Sequence, residues 1–160
     1  MKRTLIAAKS EQICGSIADM VSEFDEAPIC LTSGGAVRAL SVSDFALIIV
    51  STPLEDEFGL ELCSWLKDNT EAELIVLTKG EIADEVQKKI LFTGAFVIGR
   101  PVSRAVLQQS IRLADVARES ISRVKEENKE LAQKLDDMKI VNRAKLCLME
   151  YLKLTEEQAH

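Results

Sequence analysis

Apolar positions gather in five short runs, TLIAA (4–8), APICL (27–31), DFALIIV (44–50), AELIVL (72–77) and AFVIG (95–99). Each has strand length, and each is followed by a segment with helical spacing. Ile13, Ile17, Met20, Val21 and Phe24 share one stripe of a first helix; Phe58, Leu62, Trp65 and Leu66 share one of another. Ile82, Val86, Ile90 and Leu91 repeat the pattern, and Gly94 is placed to stop that helix. The piece between Gly35 and Leu40 has room for one or two turns. Strand and helix thus alternate with short connections, which predicts an α/β fold with a parallel five-stranded sheet and helices on both faces, because parallel neighbours require crossovers. DFALIIV and AELIVL are apolar without alternation, as strands covered on both sides should be. In such a sheet ligands bind beyond the carboxyl ends of the strands. That singles out Ala8 and Lys9, Ser51 to Glu57, Thr78 and Lys79, and Arg100 with Pro101.

From Ser103, a reasonable helix N-cap, the pattern becomes helical with neither Gly nor Pro through His160. Ala117, Ile121, Val124, Asn128, Leu131, Leu135 and Met138 alternate spacings of four and three, the a/d seam of a coiled coil about three heptads long. Asn128 falls at an a position, where a buried amide costs stability but selects a parallel, in-register dimer; the alternative is a monomeric, solvent-facing helix. Glu119 to Arg123 and Glu130 to Lys134 are i,i+4 pairs that support the helix. Lys134 at g facing Lys139 at e of a partner opposes the dimer.

The 160 residues fit one domain with a helical extension. A hydrophobic fraction of 47% supports a core, and 4% aromatics argues against base-stacking platforms. The net charge of −6 first argues against nucleic acid, but it is uneven. Residues 1–117 carry 11 basic and 17 acidic side chains, whereas residues 118–160 carry 9 of each, so the tail is neutral. Cys14, Cys30, Cys63 and Cys147 show no C-x-x-C spacing and His160 is the lone histidine. No metal site, no cofactor and no disulfide framework are expected. Without a signal-peptide core or about 18 consecutive apolar residues, the chain reads as cytoplasmic, with no membrane partner. Ser51 lacks a His or Lys dyad and Ser33-Gly34-Gly35 lacks the phosphate-loop pattern, reading instead as a turn, so no enzyme is expected.

The alternation, together with DFALIIVSTPLEDEFGLELCSWL, resembles the receiver domain of bacterial response regulators over residues 1–117, which implies a flavodoxin-like fold. Eight residues before Gly59, where that family carries its phosphoacceptor aspartate, stands Ser51. The family's acidic pair falls on Ala8 and Lys9, its Ser/Thr on Thr78, and its Lys-Pro on Arg100-Pro101, which by resemblance carries a cis peptide. Only Thr78 and Arg100 keep compatible chemistry. Mg²⁺ needs an oxygen shell that usually includes protein carboxylates. Ala8 and Ser51 offer none and Lys9 repels the ion, so a phosphorylation-deficient receiver is expected. Glu55, Asp56 and Glu57 remain as a solvated acidic run or a one-sided cation site. Lys9 and Arg100 either form a cationic pocket for an anion or are tied by salt bridges to Glu55 or Asp56.

The tail KIVNRAKLCLMEYLKLTEEQAH resembles the start of an ANTAR domain, the three-helix RNA-binding module of bacterial transcription antiterminators. The matches are Arg143-Ala144-Lys145, Leu148-Met149-Glu150 and the stretch from Leu154 to Ala159, with Leu146 where a glycine is common. Thr155 and Gln158 make a capping box for a new helix, which leads to the expectation that the module is incomplete at His160. The expected layout is a receiver-like domain (1–117), a coiled-coil helix (118–138) and the beginning of an ANTAR module (139–160), a truncated helical domain. The resemblance implies a parallel homodimer that binds a leader RNA hairpin, not DNA, to promote antitermination. Arg143 and Lys145 would contact RNA, Lys139 more weakly, with Ala144 allowing close approach. The alternative is a dimeric interaction module that docks a sensor or metabolic partner without nucleic acid.

Overall fold

The computed structural model describes residues 3–40 and 42–152. Five strands, β1 (Thr4–Ala7), β2 (Ile29–Leu31), β3 (Leu47–Ser51), β4 (Glu73–Lys79) and β5 (Phe96–Arg100), form one sheet in the order β2-β1-β3-β4-β5. Every pairing is parallel, with Ala7 opposite Val50, Ser51 opposite Leu77 and Lys79 opposite Arg100. The helices are α1 (Glu11–Met20), α2 (Gly34–Ala39), α3 (Leu60–Asn69), α4 (Ala83–Lys89) and α5 (Arg104–Leu152). This is the parallel five-stranded α/β architecture expected from the alternation, in the flavodoxin-like form that the receiver resemblance implies.

Side chains along a strand alternate between faces, so each central strand feeds two cores. Leu5, Ile48, Val50 and Val76 pack with Val37, Leu62, Leu66 and Val86 from α2, α3 and α4. Ile6, Ile49, Ile75 and Leu77 pack with Cys14 and Ile17 of α1 and Leu107 and Ile111 of α5. All five residues of β3 are buried, which explains why its sequence shows no alternation.

The expected helix stripes are rotated in three places. Cys14 rather than Ile13 faces the core of α1, and Ile13 is exposed. Cys63 joins Leu62 and Leu66 in α3, while Phe58 precedes the helix and is exposed. Leu91 falls outside α4, in a 3₁₀ turn over Leu91–Thr93, and is exposed; Gly94 closes that turn in the left-handed region at φ 70°. Ser33-Gly34-Gly35 is not a free turn. Ser33 caps α2, accepting from Ala36 N at 3.1 Å, and the two glycines form the first helical turn.

Ser103 accepts from Val106 N at 3.2 Å at the start of α5. The chain divides into a first compact unit ending at Val116 and a second beginning at Ala117. Within the second unit α5 is helical through Leu152, and Ile121, Val124, Leu131, Leu135 and Met138 are all exposed. The two expected ion pairs of this helix are not closed in the structure; an i,i+4 hydrogen bond runs instead from Gln133 Nε2 to Asp137 Oδ1, at 3.2 Å. Exposed pairs contribute only a few tenths of a kcal/mol, about what fixing two long side chains takes away. Thr155, Gln158 and the rest of the second ANTAR-like stretch lie outside the described residues. Among the described residues no helix is long and apolar enough to cross a membrane.

Candidate functional site

The carboxyl ends of β1, β3, β4 and β5 bring the predicted positions to one edge of the sheet. Ala8 and Thr78 are fully buried and Ser51 nearly so, whereas Arg100 is half-buried and Lys9 exposed. The guanidinium of Arg100, on β5, reaches past β4 to β3. Its Nη1 donates to Ser51 Oγ at 2.8 Å and its Nη2 to the Thr52 carbonyl at 2.7 Å. The peptide bonds Thr52-Pro53 and Arg100-Pro101 are both cis. Thr52 N also donates to the Leu77 carbonyl at 2.8 Å, extending the β3–β4 ladder beyond Ser51. Thr52 lies within the stretch Ser51 to Glu57 that the sequence singles out, and it meets Arg100 through its backbone carbonyl.

Arg100 is therefore held internally, as one of the two expectations required, but by neutral oxygens instead of Glu55 or Asp56. Among the described residues neither Arg100 nor Lys9 has a carboxylate partner. Thr78 Oγ1 is buried and makes no hydrogen bond there.

The acidic loop faces the other way. Thr32 Oγ1 donates to Glu55 Oε2 at 2.8 Å, and Glu55 N donates to the Thr32 carbonyl at 3.0 Å. Asp56 accepts from Gly34 N at 2.8 Å and Gly35 N at 3.1 Å, capping α2 from outside its own sequence. Glu57 takes both guanidinium nitrogens of Arg38, Nη2 to Oε1 at 3.0 Å. A side chain at position 34 would strike the Glu57 carboxylate, so the glycine permits this approach. Gly59, at φ 119°, then turns the chain into α3.

These residues do not fit the metal and phosphoryl chemistry that the resemblance implies. The position after β1 offers a methyl group and an ammonium, β3 ends in a hydroxyl already bonded to a cation, and all three acids of the loop are bonded toward β2 and α2. Among the described residues no three His, Cys, Asp or Glu side chains converge as a metal-holding group.

The fold itself has many relatives in known structures. The signal receiver domain of a putative LuxO repressor protein from Vibrio parahaemolyticus superposes with a TM-score of 0.64 at 20% identity, over 77% of this chain and 96% of that one. The chain has the receiver fold. A receiver domain of a signal transduction histidine kinase from Syntrophus aciditrophicus gives 0.60 at 24% identity, covering 71% of this chain and 89% of that one. A protein described as an adenylate cyclase from Rhodopirellula baltica gives 0.68 at 16%, covering 80% and 97%. No family model and no curated protein matches the sequence.

Lys139, Arg143 and Ala144 are exposed on α5 and Lys145 is half-buried. They share one helix with the apolar seam and are remote in sequence from the strand-end residues.

The amides of Gly34 and Gly35 hold the Asp56 carboxyl below its ordinary range. A depressed carboxyl contributes stability above its unfolded value of about 3.9, lost as the pH falls through the lower folded value. Asp56→Asn is therefore expected to lower stability at pH 7 while flattening the acid limb below about pH 4, read by urea unfolding at both pH values. An acid limb as steep as that of the wild type would contradict this assignment.

Proposed function

We propose that this chain is a signalling regulator of the two-component type in which a receiver-fold unit, unable to take up a phosphoryl group, controls a dimeric RNA-binding helix. The observation that carries this reading is the α5 seam. Ile121, Val124, Leu131, Leu135 and Met138 are each more than half exposed, at 53% to 60%, on a helix otherwise dominated by charge. Apolar a and d positions left open in one chain are what a second copy covers in a coiled coil. Asn128 on the same seam favours the parallel arrangement, which would set Arg143 and Lys145 of two chains side by side.

The resemblance of the following segment to an ANTAR module supplies the output. Ile140, Val141 and Leu146 are exposed beside the basic residues, an apolar surface that the further helices of such a module would cover. With Lys139, Arg143 and Lys145 set toward phosphates and Ala144 giving clearance, the module would hold a leader hairpin and promote antitermination. The reading places 1–117 as input, 118–138 as dimerising helix and 139–160 as the start of the output module. The protein acts by binding and carries out no catalysis.

Light scattering is expected to give a dimer for the wild type and a monomer for Leu131→Lys at micromolar concentration; a monomeric wild type contradicts the seam. In a gel shift with a leader hairpin, full-length protein is expected to bind, with affinity falling steeply between low and high salt because phosphate contacts release counterions. Arg143→Ala with Lys145→Ala is expected to weaken binding and reduce the salt slope by about two. Loss of RNA binding with retained docking to a protein partner would instead support the interaction-module alternative.

A further inference from the structure

We propose that Cys14 and Cys30 form a reversible disulfide when the protein meets hydrogen peroxide, making the α1–β2 contact of the receiver-fold unit a thiol-based redox site. Sixteen positions separate them in the sequence, and the fold removes that distance. Cys30 is the central residue of β2, opposite Ile6 of β1. Its neighbours Ile29 and Leu31 pack on the α2–α4 side of the sheet, so the Cys30 side chain stands on the opposite face, the one α1 covers. Cys14 is the core residue of α1 on that face. Its Sγ lies 3.6 Å from the Leu31 carbonyl and 3.9 Å from the Ile6 carbonyl, backbone groups that flank Cys30 on its own strand and on the paired one.

The two thiols differ in a way that suits sequential chemistry. Cys14 is fully buried, and burial first, then the adjacent Cys30 thiol, pushes it up to about 11. Cys30 is exposed on an edge strand. The solvent-facing group therefore meets the oxidant first, and the buried thiol, slow to be oxidised itself, is placed by its position against the Leu31 and Ile6 carbonyls to resolve it. The Cys30 thiolate attacks one peroxide oxygen, the O–O bond breaks, and Cys30 becomes a sulfenic acid as hydroxide leaves and is protonated to water. Cys14 then gives up its proton and attacks the sulfenic sulfur, displacing hydroxide that leaves as a second water. Two thiols lose two electrons in all, and one peroxide becomes two waters.

Cys63 is buried in α3, and Cys147 is exposed on α5. Cys147→Ser removes the intermolecular route while leaving the proposed pair intact. Full-length Cys147→Ser protein treated with hydrogen peroxide is expected to lose two titratable thiols and to give a proteolytic fragment pair joined through Cys14 and Cys30. Dithiothreitol should restore both thiols. Thermal unfolding should shift upward in the oxidised form, because the bond constrains the unfolded chain between α1 and β2. In the same Cys147→Ser background, Cys14→Ser should stop at Cys30 sulfenic acid, trapped by dimedone, and Cys30→Ser should remain unreactive. Retention of a free Cys14 in oxidised protein whose Cys30 has become sulfinic acid, or a disulfide joining Cys30 to the Cys30 of another molecule, would overturn the proposal. Circular dichroism of each variant verifies that an unreactive protein is still folded.

Discussion

One cation bonded across three strands organises the carboxyl edge of this sheet. Arg100 leaves β5, passes the end of β4 and closes on the Ser51 hydroxyl and Thr52 carbonyl of β3. A charge-assisted hydrogen bond to a neutral oxygen is stronger than a neutral pair and demands no counter-charge at the site. With Ala8 buried after β1 and Ser51 almost inaccessible, the place where a receiver would gather carboxylates around a metal instead holds a hydrogen-bonded contact between strands. Arginine suits this better than lysine would, since its planar fork serves two acceptors at once.

That contact also frees the acidic loop to act elsewhere. Were Glu55, Asp56 and Glu57 needed to neutralise Arg100, they could not reach back to β2 and α2. Instead each has a separate partner there: Thr32, the first amides of α2, and Arg38. Because α2 is six residues long, its open N-terminal amides are a large share of its backbone donors, and a carboxylate supplied from the β3–α3 loop satisfies two of them. The loop thus serves as a brace for a short helix, and a side chain sequence that looks poised for cation binding is spent on the fold.

The legible part of this architecture was the part set by local pattern. Strands buried on both faces announce themselves as unbroken apolar runs, and the α5 seam by its spacing. The stripes of α1 and α3 differ from the expected ones at Cys14 and Cys63, small buried side chains that pack as hydrophobes while Ile13 and Phe58 are exposed. The Arg100–Ser51 bond could be expected as some internal tie, but its partner depended on which way the 55–57 loop turns, which no spacing rule encodes. Asp56 capping α2 depends on the order β2-β1-β3, in which β1 lies between two strands consecutive in sequence, and Cys14 approaches Cys30 because α1 packs on the β1–β2 pair.

We propose that the strand-end edge, where Arg100 closes on Ser51 and Thr52, takes up no phosphoryl group. It is tested most directly by incubating full-length protein with acetyl phosphate and Mg²⁺ and measuring intact mass, with a phosphorylatable receiver as positive control. The account predicts no mass gain in the wild type. Stoichiometric gain of one phosphoryl group, mapped to Ser51 or to any acid of the 55–57 loop, would contradict it.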